Sequence, residues 1–208
     1  MYSIRYSFGQ GGITLPKPKT DSRNRLIQAT RRLLQRQGYQ GTGLGQIVEE
    51  SGAPRGSFYF LFPGGKEQLA LAAIDESIRE LKVHIEELAQ KTSSVEEWIK
   101  ALAGHVIHAL SNSVFTEGCP VSTITLDSSH ASPALRQACA TAYDVLIEAA
   151  ARVLVQYGRT PDEAKSLAVV LLSTVEGAMI LSRAKRSVEP LLIAQEFILK
   201  TFVFSADA

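Results

Sequence analysis

The residues best suited to engage an outside molecule crowd the first third of this 208-residue chain. From Met1 to Lys66, ten Lys and Arg side chains face three acidic ones, a local charge of +7, while the remainder carries −6. A basic end on an acidic body suits a polyanionic partner. Within that end, Arg55-Gly56-Ser57 precedes the aromatic run Phe58-Tyr59-Phe60-Leu61-Phe62. Arginine carries two parallel N–H donors that match a guanine edge. A neighbouring glycine lets a backbone come close to whatever is being read.

Other chemistries fit less well. Gly64-Gly65-Lys66 has the look of a phosphate-binding loop, but Glu67 stands where Ser or Thr is required and Phe60 where the leading glycine should be. Gly41 to Gly45 is glycine-rich yet follows a helical pattern, so it reads as a turn. His105 and His108 lie one helical turn apart with Cys119 downstream, short of the three or four converging ligands a metal needs. No nucleophile, base and orienting group assemble from local motifs, so neither catalysis nor a cofactor is expected. Two cysteines, Cys119 and Cys139, do not make a disulfide framework and read as reduced thiols. There is no secretory pattern at the start and no run of 18 apolar residues, so the expected setting is the cytoplasm without a membrane span.

The elements that must hold these residues are all helical, and alternating strand patterns are absent. Residues 1–19, with three glycines and two prolines, read as a tail. A first helix opens near Thr20–Ser22 and stops at Gly38. A second fits Leu44 to Ser51, capped by Thr42 and ended by Gly52. A third starts at Pro54 and runs to about Phe62. Leu71, Ile74, Ile78, Leu81, Ile85 and Leu88 form the single apolar stripe of a long connector. A fifth helix runs from Val95 to Leu110, and an irregular stretch over Asn112–Ser132 holds a short helix near Val121–Ser128. Helices over Pro133–Tyr157, from the Thr160–Glu163 capping box onward, and over Glu189–Phe204 complete the chain.

Thr42, Ile47, Gly52, Gly56, Phe58, Tyr59, Phe62 and Lys66 stand in the register of a known pattern: this segment resembles the helix-turn-helix of TetR-type regulators. Two departures are Leu61, where many members carry His, and a gap before Lys66 that is one residue longer. Phe62-Pro63-Gly64-Gly65-Lys66-Glu67-Gln68-Leu69 and Gly118-Cys119-Pro120-Val121 are similar to the LmrA/YxaF-like branch. The resemblance implies an all-α protein: a DNA-binding domain over 20–66 and a ligand-binding, dimerising body over 67–208. It implies a homodimer that binds double-stranded, palindromic operator DNA and lets go when an organic, partly aromatic inducer binds. The DNA-contacting set is then Thr42, Gln46, Arg55, Gly56, Ser57, Tyr59, Phe60 and Lys66, with Tyr59 and Lys66 on phosphate and Phe60 on the groove side. Phe58 and Phe62 are expected in the core.

Position in the body nominates Trp98, His105, His108, Phe115, Cys119, Tyr143, Ile147 and Met179 as lining an apolar pocket. The last two helices are apolar nearly all round, so each has a second face to bury and a symmetry mate is expected on it. Two alternatives stay open: a DNA-binding architectural or activator protein without a ligand, and a helical enzyme with a basic face.

Overall fold

Glycine and proline divide the chain much where the sequence places them. A computed structural model describes residues 19–128 and 131–204, which form nine helices and no strand. The helices are α1 Lys19–Gln37, α2 Leu44–Ser51, α3 Arg55–Leu61, α4 Gly65–Gln90, α5 Val95–Asn112, α6 Pro120–Ser128, α7 Pro133–Gln156, α8 Pro161–Lys185 and α9 Glu189–Phe204. The expected tail lies outside the described residues except for Lys19, which already opens α1. Thr20–Ser22 therefore sit inside the helix, not at its cap.

α1 ends at Gly38, where φ is +69° and an added Cβ would come within 2.4 Å of Asp127 Oδ2. Both the left-handed backbone and the close approach require glycine there. Gly52 ends α2 in the same left-handed region, at φ 57°. α8 opens with the reciprocal cap: Thr160 Oγ1 accepts from Glu163 N, and the Glu163 carboxylate accepts from Thr160 N.

α1, α2, α3 and the first turns of α4 close around Leu26, Leu34, Ile47, Phe58 and Leu69, all buried to within 1% exposure. This core is continuous with Val121 and Ile124 of α6 and with Leu135 and Cys139 of α7. The expected boundary between residues 66 and 67 falls in the first turn of α4, so one rigid helix carries the chain from the N-terminal unit into the body. A second core gathers Trp98, Leu154, Ala168, Ile198 and Phe202 from α5, α7, α8 and α9.

Candidate nucleic-acid interface and ligand cavity

α2, the turn and α3 form a helix-turn-helix clamped by α1: Arg25 donates to the carbonyls of Gly52 (2.8 Å) and Ser51 (3.3 Å). Phe58 and Phe62, four residues apart on α3 and its end, face inward at 1% and 2% exposure. Tyr59 and Phe60, between them, stand outward at 60% and 72%. Arg55 and Gly56 share the exposed surface at the N-terminus of α3, and Ser57 is half-buried. A Cβ built on Gly56 would meet nothing within 4 Å. Glycine costs a helix about 1 kcal/mol relative to alanine, and nothing inside the chain requires it here. The absent side chain is room for something outside.

Gln46 is exposed, but its amide oxygen already accepts from Gly43 N (2.9 Å) and Gln37 Nε2 (3.0 Å). Two of the expected DNA contacts also have partners inside the chain. Thr42 is 1% exposed and its hydroxyl donates to Gly38 O at 2.6 Å; the cap of α2 is Gly43, so Thr42 closes the α1–α2 turn from inside. Lys66 is half-buried and Nζ donates to the carbonyls of Tyr39 (2.9 Å) and Thr42 (3.0 Å), 4.0 Å above the Tyr39 ring. Burial pulls its ammonium below the usual lysine range. Two of its three donors thus bolt the start of α4 to the α1–α2 turn. Lys66→Met removes the ammonium donor from Thr42 O and leaves Tyr39 O with only Thr42 N (3.2 Å), and is expected to cost about 1–3 kcal/mol of stability. A melting curve for Lys66→Met that superimposes on wild type would contradict this role.

The body encloses a cavity of about 250 Å³. Its walls are mainly aliphatic, from α4, α5, α7, α8 and α9, with Gly118, Cys119 and Pro120 at the head of α6. Of the eight residues nominated, His105, Cys119 and Met179 line it and the other five do not. Trp98 is fully buried in the second core and its indole N–H donates to Ile85 O at 3.2 Å. His108 turns outward beside Asn112 (3.1 Å). Phe115 packs on Leu110, Ala178 and Leu191, Ile147 on the second core, and Tyr143 against the first.

Polar lining residues missed in the sequence are Gln35, His84, Glu117, Glu176 and Gln195. Glu176 matters most. Its carboxylate accepts from Ser122 Oγ at 2.9 Å and lies near the Cys119 thiol. Burial holds it above the ordinary carboxylate range. Burial, then the Glu176 charge, pushes the Cys119 thiol up, so that sulfur is not a nucleophile. The sequence did carry a signal: Glu176 shares a helical face with Leu172 and Met179 inside an otherwise apolar stretch. On another wall the His84 and His105 rings lie 4.0 Å apart, and His84 Nε2 is buried without a hydrogen-bond partner. Burial, followed by His84 and His108, keeps His105 below the usual histidine range.

Comparisons with known proteins agree with this geometry. Residues 26–73 match the bacterial regulatory proteins of the tetR family, and residues 95–197 match the C-terminal domain of LmrA/YxaF-like transcriptional regulators. The HTH-type transcriptional regulator LmrA of Bacillus subtilis is 38% identical over 172 residues, 83% of this chain and 92% of LmrA. YxaF of the same organism, also an HTH-type transcriptional regulator, is 34% identical over 86% of this chain and 93% of its own. Among solved structures, a TetR transcriptional regulator from Legionella pneumophila superimposes with a TM-score of 0.78 over 91% of this chain and 99% of its own, at 22% identity. These relatives are regulators, not enzymes.

Proposed function

The chain belongs to the TetR family of bacterial transcriptional regulators, with an LmrA/YxaF-like C-terminal domain, and from that premise we propose that it is a ligand-released repressor. In this reading a homodimer grips a palindromic operator and a small organic molecule in the body cavity loosens the grip. The observation that carries it is the outward face of α3, where Arg55, the unneeded glycine at 56, Tyr59 and Phe60 stand together in solvent. A helix presenting donors and rings with no core role suits a major groove, with its N-terminal side chains on base edges. DNA binding sets the site of action in the cytoplasm.

The second copy is supported by α8 and α9. Val169, Val170, Ile180 and Leu181 of α8 and Leu192, Ile193 and Phe197 of α9 are 43–63% exposed in the single chain. With Ser173 and Gly177 the four residues of α8 follow one face of that helix, and a Cβ on Gly177 would meet only open space. By length and composition α8 is apolar enough to cross a membrane, and only 22% of its apolar window is buried in the single chain. An isologous four-helix contact covers that face and fixes the two recognition helices about 34–36 Å apart, one turn of DNA.

Release needs the cavity to act on α1, which clamps the reading head. Supporting this, Gly118 N donates to Gln35 O (3.1 Å), Thr123 Oγ1 to Leu34 O (2.9 Å) and Gln40 N to Asp127 Oδ2 (2.9 Å). The stretch Gly118–Asp127 therefore runs from the cavity wall to the last turn of α1. A ligand that favours a shifted α6 releases DNA by about 1.4 kcal/mol of differential affinity per tenfold loss of operator binding.

The test is Arg55→Ala. Loss of a bidentate base contact is expected to cost about 1–3 kcal/mol, roughly 10- to 100-fold, at the base pair it reads. Titration of a selected operator at fixed salt measures this. Unchanged affinity and unchanged base preference would refute base reading by α3.

A further inference from the structure

Resting on the reading of the body as a ligand sensor, we propose that Glu176 is the recognition point of the cavity. It selects apolar ligands that deliver an O–H or N–H donor and carry no negative charge. A carboxylate offers about four acceptor positions. Ser122 supplies one donor, and the group still borders the cavity. Among the residues that line the cavity there is no Lys or Arg to balance it. The second lining carboxylate, Glu117, is paired with Arg36 (2.8 Å), which does not reach the lining.

A buried carboxylate without a cation is expensive to keep, and a leucine or glutamine of similar volume would pack more favourably. What such a group offers is strong acceptance from a donor brought in by a ligand, in a setting where hydrogen bonds to a charged partner gain most. The same field rejects acids. A ligand carboxylate would meet the Glu176 carboxylate with no Lys or Arg among the lining residues to offset the repulsion. Neutral hydroxyaromatics and protonated aryl-amines share the accepted chemistry, and a matched series separates them.

Isothermal calorimetry on the full-length protein at pH 7 takes 2-naphthol, 2-naphthylmethylamine, 2-methoxynaphthalene and 2-naphthoate. Either or both of the first two are expected to bind at least about tenfold more tightly than the last two. Whichever of the two leads identifies the preferred donor. Glu176→Gln, which keeps the shape, is expected to shrink that gap below about threefold, chiefly by admitting 2-naphthoate. Glu176→Asp, which draws the carboxylate back, is expected to weaken the donors while still rejecting 2-naphthoate. The wild-type ranking decides alone if a variant does not fold. Binding of 2-naphthoate on a par with 2-naphthol, a ranking unmoved in Glu176→Gln, or no binding by any of the four overturns the proposal. The readout contains no DNA. Failure of operator release with the ranking intact would count against the regulatory reading only.

Discussion

Replacing Ile193 and Phe197 together by Asp is expected to give a folded monomer of 22.6 kDa. Both side chains lie on the outer face of α9, at 61% and 63% exposure in the single chain, so the change removes little internal packing. In a two-fold contact each substitution counts twice, and four carboxylates would have to be buried against apolar partners. Operator affinity is expected to fall by about 10²- to 10⁴-fold, because each half-site then binds without the effective concentration supplied by its partner. Sedimentation equilibrium and operator titration measure the two effects separately. A double variant that still sediments as a dimer at micromolar concentration would place the interface elsewhere.

Gly56→Leu is expected to abolish operator binding while leaving the protein as stable as wild type or somewhat more so. Loss of function with no loss of stability follows from the position. The glycine is on α3, has open space where its side chain would be, and does not occupy a left-handed backbone conformation. Leucine is the better helix former by up to about 1 kcal/mol. Against DNA, the same side chain would hold the helix backbone away from the groove. Thermal melting and a gel-shift titration on one preparation check both halves. Tight, specific DNA binding by Gly56→Leu would mean that α3 does not enter a groove.

Much of the reading head was legible because its determinants are local. Gly38 and Gly52 stop helices by backbone conformation, and the i, i+4 spacing of Phe58 and Phe62 assigns them inward while Tyr59 and Phe60 turn out. The internal partners of Thr42 and Lys66 have a cause just as local, but invisible in residue types. Gly43 caps α2 instead of Thr42, which frees the Thr42 hydroxyl for Gly38 and leaves backbone carbonyls for Lys66 to bind. The cavity was legible in outline only. Which helical face meets empty space depends on how five body helices and the head of α6 cross, a non-local outcome. Trp98 was nominated by its position in the body, yet a large indole with a backbone acceptor within reach fills a core rather than lining a void. Glu176 was hidden by the apolar character of the helix around it. Its meaning emerges only once Ser122, Cys119 and the cavity wall come together.

The most direct measurement selects duplexes from a random-sequence pool with the wild-type protein and determines chains per duplex by sedimentation. The expected result is an inverted repeat, bound by whole dimers, with paired protections on one face of the helix and half-site centres an integral number of turns apart. Affinity is expected to fall steeply with salt, as phosphate contacts require. A pool without sequence enrichment, or a motif with no two-fold symmetry bound by a single chain, would contradict the reading of this chain as a dimeric operator-binding regulator.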